Sequence, residues 1–328
     1  MDTIVVLEPV LPASPASPRS SMRFGLCCQF ADEASFRFRT TTVAHLSRVL
    51  AADHSGSAAF DFYRTLVEHN LSTLEGVLAW CERHDIGAFR IGSDLWPRAT
   101  HPVVGPWVDT LFADASIVMQ CARIRTFARA NDIRLSEHPE QFLVGNSLRP
   151  DVVSSTVVEL EWRARLGEAL GVDVLCIHIG SGAPDAESAL WRWEATLAGL
   201  SGAVRRLIAF ENDDRTFPPE RILPACLAWD IPLVYDAHHH RVNPDTLDED
   251  EATLFALATW GEREPHFHLS SPRGGWEARD ARPHHDVIDI EDWPTIWTEL
   301  LAAGVRFTVD IEAKGKERAI FALRSALR

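Results

Sequence analysis

The chain has 328 residues, of which 46% are hydrophobic and 24% are charged, and its 32 basic and 47 acidic residues give a net charge of −15. This composition supplies enough apolar mass for one large domain or two small ones, and it excludes a disordered, collagen-like or low-complexity protein. The acidic balance disfavours a general nucleic-acid coat protein, because neutralising phosphates requires clustered cations, but it leaves room for a local basic cleft.

Residues 1–21 are predicted to form a disordered tail, because their Pro- and Ser-rich stretch PASPASP is typical of a flexible segment. The short apolar run before it is interrupted by Glu8 and Pro9 and follows no basic region, so it does not predict a secretory signal. Patterned sequence begins at Met22. The six scattered cysteines form no C-x-x-C pair, and the chain has no run of about 18 apolar residues. We therefore expect a cytoplasmic protein with reduced thiols and no membrane partner.

Short apolar runs alternate with longer amphipathic segments along the rest of the chain. The runs cover residues 23–28, 86–91, 133–138, 172–179, 207–211, 232–236, 266–270 and 305–311, and helical spacing is found over 70–84, 152–170 and 189–206. This alternation predicts a parallel sheet, and eight such units suit a single (β/α)₈ TIM barrel over residues 22–328. A doubly wound open sheet is the alternative, although Gly180-Ser181-Gly182 lacks the rest of a dinucleotide fingerprint.

A possible metal ligand stands at or just after the C-terminal end of six consecutive predicted strands. These residues are His138, His178, Glu211, Asp236, His268 and Glu312. In a barrel all of these strand ends meet at one mouth, which is where active sites are built. Imidazoles mixed with carboxylates suit Mn, Zn or Fe, and more than four ligands indicate more than one ion.

Further candidates lie close to these strand ends. His239 is three residues after Asp236, so that one helical turn can bring the two together, and His266 shares a strand face with His268. His284 and His285 follow in a loop, where one of the two is expected to be a ligand. Arg90 and Ser93 could bind an anionic substrate, or they could instead form a buried salt bridge and a helix cap.

The sequence resembles the UV damage endonucleases over residues 22–323, nearly the whole chain. The resemblance rests on MRFGL, NLSTLEGVLAW, RIGSDLWPRATHP, HPEQF, LCIHIGSG, FENDD, VYDAHHH, FHLSSP, HHDVID and VDIEAKGKE. It implies a (β/α)₈ metalloenzyme related in fold to endonuclease IV and xylose isomerase. It also implies metal ligands at His101, His138, His178, Glu211, Asp236, His239, His268, His284 and Glu312, where Asp286 fixes the register that selects His284.

Three residues depart from the family pattern. His266 stands where the family usually has a lysine that is carboxylated in some members. Leu26 and Phe142 stand where the family has tyrosines, while Gln141, the glutamine before Phe142, is kept. In the family these last positions probe the duplex beneath an extruded lesion, and Leu26 and Phe142 could still wedge or stack there.

The first functional hypothesis is a metal-dependent DNA repair endonuclease that nicks damaged double-stranded DNA 5′ to the lesion. It would use two or three divalent ions, with Mn as the first choice and Zn or Fe as alternatives. The residues expected to carry the chemistry are Glu211, Asp236, His266 and Glu312, and those expected to contact substrate are Leu26, Arg90, Ser93, Gln141 and Phe142. The second hypothesis is a multinuclear metalloenzyme of the same fold, an isomerase or an iron-dependent oxidase, acting on a small molecule or peptide. A metal-binding module without turnover is the third.

Overall fold

Eight parallel strands, paired in sequence order, close into a barrel in the computed structural model, which describes residues 22–53, 55–139 and 142–328. The strands are β1 (Met22–Cys27), β2 (Ala88–Ile91), β3 (Arg134–Glu137), β4 (Val174–His178), β5 (Ile208–Glu211), β6 (Leu233–Asp236), β7 (His266–Leu269) and β8 (Phe307–Ile311). Strand β8 closes the ring beside β1, with Met22 opposite Phe307. The predicted (β/α)₈ TIM barrel is confirmed and the open sheet is wrong, while the predicted tail at 1–21 lies outside the described residues.

Helices surround the barrel between the strands. Over the described ranges they are α1 (Val43–Ala52), α2 (Ser57–Arg83), α3 (Gly105–Ala113), α4 (Ala115–Ala130), α5 (Pro150–Leu170), α6 (Ala186–Ala198), α7 (Gly202–Leu207), α8 (Pro219–Trp229), α9 (Ala237–Val242), α10 (Glu249–Ala258), α11 (Thr295–Ala302) and α12 (Glu317–Ala326). Several begin at side-chain caps, as α10 does with the reciprocal hydrogen bonds of Asp248 and Glu251. None of the helices in these ranges combines the length and the apolar character needed to cross a membrane.

The helix predicted over residues 189–206 is wrong in one respect, because the structure divides it into α6 and α7. Helix α6 ends at Ala198, before Gly199, and Ser201 starts α7 by accepting a hydrogen bond from the backbone N–H of Val204. A serine side chain caps a helix start better than it supports a helix interior, so two short helices form here.

Alternate residues of β1 face opposite sides of the barrel wall. Gly25 faces the interior, where a Cβ atom on it would lie 1.8 Å from Oδ1 of Asp310 on β8. Leu26 therefore points outward, and it is completely buried in the apolar core between barrel and helices. The same alternation turns every second residue of the other strands into the barrel, and this fixes which polar side chains can meet at its axis.

Apolar packing and ion pairs close the end of the barrel opposite the strand C-termini. A small buried cluster lies inside the barrel and consists of Val174, Cys176, Ala209, Val234 and Trp260. Below it, Arg134 pairs with Asp173 at 3.1 Å, and its guanidinium lies 5.5 Å from the ring centroid of Trp260. In the same region Glu264 forms ion pairs with Arg23 at 2.8 Å and with Arg306 at 3.0 Å. The open end of the barrel is therefore the mouth formed by the strand C-termini.

Candidate metal centre at the barrel mouth

Three carboxylates occupy the C-terminal ends of the strands. Glu211 is the last residue of β5, Asp236 is the last residue of β6, and Glu312 directly follows β8. Because the strands are parallel, these ends share one mouth. Glu211 and Asp236 are fully buried, and the side chain of Glu312 is only 12% exposed. Buried carboxylates need compensating charge, so their partners decide what the site can do.

Glu211 is the hub of the cluster. Its Oε2 lies 2.6 Å from Nε2 of His138 and 3.5 Å from Nε2 of His178, while its Oε1 lies 2.8 Å from Nδ1 of His268 and 3.5 Å from Nδ1 of His239. Four imidazoles thus surround one carboxylate. Burial opposes ionisation of Glu211, but the imidazoles of His178, His268 and His138 outweigh it and hold the pKa well below its usual range.

Asp236 also caps helix α9, and this places His239 beside it. Its Oδ1 accepts a hydrogen bond from the backbone N–H of His239 at 2.7 Å, and its Oδ2 lies 3.6 Å from Nδ1 of the same histidine. Asn212 fixes the strand end by donating to the carbonyl of Asp236 at 2.9 Å and accepting from its N–H at 2.9 Å. Burial opposes protonation of His239, but Asp236, Glu211 and Glu312 outweigh it and raise the pKa of His239 to about 9.

Glu312 completes the group from the other side of the mouth. Its Oε1 lies 3.4 Å from Nδ1 of His268, and its Oε2 lies 3.7 Å from Nδ1 of His284. The neighbouring His285 turns elsewhere, since its Nδ1 accepts a hydrogen bond from the N–H of Val287. Of the two histidines, His284 therefore approaches the carboxylate of Glu312. This agrees with the choice of His284 that Asp286 implies.

The donor set suits divalent metal ions. Ligand atoms of Glu211, Asp236 and His239 lie within 4.8 Å of one another, as do those of Asp236, His268 and Glu312. Among the described residues, Oδ2 of Asp236 and Nδ1 of His178 are buried without a hydrogen-bond partner, which leaves both atoms available to a metal ion or its water. Carboxylate oxygens and imidazole nitrogens together are common ligands of divalent metal ions.

One further predicted ligand stands apart. His101 lies in the loop after β2, where its Nδ1 accepts a hydrogen bond from the N–H of Val103 at 3.2 Å. It belongs to none of the ligand groups found among the described residues. With Ser93 and Phe142 it lines a groove of about 820 Å³ beside the mouth. The structure therefore places His101 next to the cluster rather than within it.

The residues expected to contact substrate differ in their positions. Phe142 is 80% exposed beside the mouth, and Ser93 is exposed in the same groove. Gln141 lies outside the described residues. Leu26 is completely buried on the outer face of β1, so its predicted contact with a duplex is wrong.

Arg90 is also placed differently from the expectation that it binds an anionic substrate. Its Nη1 forms an ion pair with Oε1 of Glu312 and lies 3.9 Å from Oδ2 of Asp310. Only 13% of its side chain is exposed. The alternative from the sequence, a buried salt bridge, describes this arginine, and its role is to hold Glu312.

His266 points into the barrel, but one layer below His268. Its ring is fully buried, and its Nε2 lies 3.3 Å from Oδ2 of Asp310. Sequence reasoning did not single out Asp310 or Cys176, whose Sγ lies 3.6 Å from Oε2 of Glu211. Both could have been found from strand alternation, because Asp310 is two residues before Glu312 and Cys176 two before His178.

Comparison with known proteins identifies the family. The family described as UV-endonuclease UvdE matches residues 22–328. This chain belongs to that family. The UV DNA damage endonuclease of Deinococcus radiodurans is 33% identical over 298 residues, which cover 88% of this chain and 90% of that protein. The UV DNA damage endonuclease of Bacillus velezensis is 28% identical over 292 residues, 87% of each chain.

Solved structures give the same result. The crystal structure of SacUVDE superposes with a TM-score of 0.77 and 26% identity, covering 93% of this chain and 98% of that one. Endonuclease IV from Thermus thermophilus shares the fold, with a TM-score of 0.56 and 18% identity over 77% of this chain and 94% of that one. Membership in the UvdE family confirms the predicted resemblance and fits the endonuclease hypothesis rather than the isomerase or oxidase alternative.

Proposed function

We propose that this protein is a metal-dependent endonuclease of DNA repair that cuts the backbone of damaged double-stranded DNA 5′ to the lesion. The observation that carries the proposal is the convergence of Glu211, Asp236 and Glu312 with imidazoles at the open mouth of a UvdE-family barrel. Such a site suits hydrolysis of a phosphodiester, because bound divalent ions would bring positive charge next to both the attacking water and the phosphate.

The residues at the mouth would hold two or three divalent ions, with Mn²⁺ as our first choice and Zn²⁺ or Fe²⁺ as alternatives. The proposed ligands are the nine predicted residues, of which His101 lies beside the mouth in the loop after β2 and eight meet at the mouth: His138, His178, Glu211, Asp236, His239, His268, His284 and Glu312. When bound, such ions supply Lewis acidity to a phosphate group and lower the pKa of water. Glu211 would be the central ligand, because its two oxygens face different histidines.

Residues around the mouth are proposed to position the duplex. Phe142 offers an exposed aromatic ring on which a base can stack. Arg98, Arg215 and Arg273 are exposed on loops that follow β2, β5 and β7, where they can face phosphates despite the acidic net charge. We also propose a cytoplasmic location, supported by six cysteines that are all free thiols.

The test is nicking of supercoiled plasmid, either UV-irradiated or undamaged, by protein stripped with a chelator and then supplied with Mn²⁺, Zn²⁺ or Fe²⁺. We expect the stripped protein to be inactive, and restored metal to produce nicks in the irradiated plasmid. Primer extension to the break locates it relative to the lesion. Equal nicking of both plasmids would contradict damage specificity, and no nicking with any metal would contradict the nuclease.

Variants tie the activity to the site. Glu211→Gln keeps the size of the side chain but removes its charge, so bound metal and nicking should fall together. Glu264→Gln is the matched control, because Glu264 is a largely buried glutamate paired with arginines at the opposite end of the barrel. It should cost stability but not metal. Full metal content together with full nicking in Glu211→Gln would exclude the assigned role of Glu211.

A further inference from the structure

A second group of ligand atoms lies below the proposed catalytic centre. His266 and His268 on β7 and Asp310 on β8 face the barrel interior, and all three are fully buried. One atom from each lies within 4.8 Å of the other two. Both ring nitrogens of His266, Nε2 of His268 and both oxygens of Asp310 have no hydrogen-bond partner within the described residues. Each such buried polar group left unsatisfied costs about 1–3 kcal/mol.

Another buried His–Asp pair in the same protein shows what a satisfied arrangement looks like. His240 lies 3.1 Å from Asp245, its Nδ1 is 2.9 Å from the hydroxyl of Tyr235, and Asp245 accepts hydrogen bonds from the N–H groups of Leu247 and Glu220. Every polar end of that pair has a partner. In the interior group the closest contact of Asp310 with a histidine is the longer one of 3.3 Å to His266, and within the described residues Nδ1 of His266 and Oδ1 of Asp310 have no hydrogen-bond partner.

The spacing of the interior group is that of metal ligands. Oδ2 of Asp310 lies 3.3 Å from Nε2 of His266 and 3.8 Å from Nε2 of His268. These separations exceed the usual range of about 2.7–3.2 Å for N–H···O hydrogen bonds. Nitrogen and oxygen ligands at about 2.1 Å from a tetrahedral ion stand about 3.4 Å apart, which is close to the observed values.

The hydrogen bonding of His268 orients its second ring nitrogen toward the deeper group. Its Nδ1 lies 2.8 Å from Oε1 of Glu211, and a carboxylate only accepts, so Nδ1 carries the proton. Nε2, on the other side of the ring, points toward Asp310 and His266. A carboxylate that holds the far nitrogen of a histidine is the usual support of a metal-bound imidazole.

The surroundings keep space for the Asp310 carboxylate. Gly25 faces it across β1, and any side chain there would collide with Oδ1. Arg90 approaches Oδ2 only to 3.9 Å, because its Nη1 is paired with Glu312.

We propose that His266, Asp310 and Nε2 of His268 form a second cation site, suited to a first-row divalent transition metal such as Zn²⁺. Two imidazoles and one carboxylate favour such an ion over Mg²⁺ or Ca²⁺. The site goes beyond the proposed nuclease activity, because its ligands are closed off from substrate. Its ion supports the floor of the catalytic centre through the contact of His268 with Glu211. This assignment moves His268, one of the nine ligands proposed above, from the mouth to the deeper ion.

The first test is the zinc content of the purified full-length protein after Zn²⁺ loading and gel filtration. Asp310→Asn and His266→Gln should each lose one equivalent, and Gly25→Ala should lose the same equivalent without removing a ligand. Asp245→Asn is the matched control and should keep every ion. Asp236→Asn, which affects only the upper centre, should retain the deeper equivalent. Unchanged zinc content in folded Asp310→Asn and His266→Gln would overturn the proposal, whether or not the wild type nicks DNA.

The second test needs no variant. Anomalous scattering at the zinc edge from zinc-soaked crystals of the wild-type protein should give a peak between His266, His268 and Asp310, in addition to peaks at the mouth. Peaks at the mouth alone would overturn the deeper site while leaving the nuclease proposal intact. A deep peak in a protein that does not nick DNA would support the cation site and refute the proposed activity.

Discussion

Replacing Arg90 by leucine should destabilise the metal-free protein much more than the metal-loaded one. Arg90 pairs with Glu312 and lies 3.9 Å from Asp310, inside a barrel that excludes most water. At an effective dielectric constant of 20, the 3.9 Å contact with Asp310 contributes about 4 kcal/mol of attraction before desolvation is subtracted, and the closer pair with Glu312 contributes more. Removing one partner of a buried pair costs about 3–5 kcal/mol, because the remaining charge is left uncompensated.

Bound metal should reduce the loss of stability caused by Arg90→Leu. Burial opposes ionisation of Glu312, and the guanidinium of Arg90 is the main group that holds its pKa well below the usual range. A bound ion would take over that compensation, so Arg90→Leu should lose about 2 kcal/mol less stability when metal is present. By thermodynamic linkage the variant should then bind metal about 30-fold more tightly.

Urea unfolding with a chelator and with saturating Mn²⁺ measures both quantities. The control is Arg163→Leu, because Arg163 forms a similarly buried pair with Glu137 at 2.7 Å but lies outside the barrel interior. It should be destabilised equally in the two conditions. The same loss for Arg90→Leu with and without metal would show that no ion engages Glu312, and a loss below about 1 kcal/mol would show that the pair is not buried in solution.

Three further predictions concern single residues. Leu26→Ala should cost about 2–5 kcal/mol in unfolding free energy through the cavity it leaves, but should not change nicking per folded molecule, as measured by denaturant titration alongside the plasmid assay. Phe142→Ala should leave stability within about 0.5 kcal/mol and weaken binding of a UV-irradiated duplex by the worth of one stacked base, about 1–3 kcal/mol, measured by fluorescence anisotropy. In the metal-free protein the pKa of His239 is raised by its carboxylate neighbours to about 9, so its contribution to stability is complete below pH about 6.5 and is lost as the pH rises through about 9. A chelated sample that gains stability over that range would contradict this, and the Gln variant of His239 should flatten the profile.

The barrel and the mouth could be predicted because they follow from periodicity along the chain. Each apolar run became a strand, and residues such as Glu211 and Asp236 lie at strand ends whatever the side-chain packing. Relations across the barrel were less accessible. Arg90 and Glu312 are 222 positions apart. The sequence around each residue does not indicate that Arg90 pairs with Glu312 instead of binding substrate. The register of β7 against β8, which sets His268 opposite Asp310, is likewise a product of closure.

A family position does not fix where a side chain points, as Leu26 and His101 show. Leu26 lies between Gly25 and Cys27 on β1, and alternation alone assigns it to the face opposite theirs. An aliphatic side chain on the outer face of a strand in a helix-wrapped barrel is buried, whatever a relative has there. His101 follows a loop with irregular backbone, where Arg98 has a φ of 62°, and no period fixes its direction.

Because its far end is closed, the interior of the barrel opens only at the mouth. Trp260 and the ion pairs of Arg134 and Glu264 close the far end, so any ion, water molecule or chelator reaches His266 only by passing the residues at the mouth. Metal ions should therefore enter and leave in order of depth. Ions at the mouth should exchange quickly, and an ion bound beneath them should exchange slowly. A radioactive metal chased with unlabelled metal would leave in two kinetic phases, and a bound duplex covering the mouth would slow both.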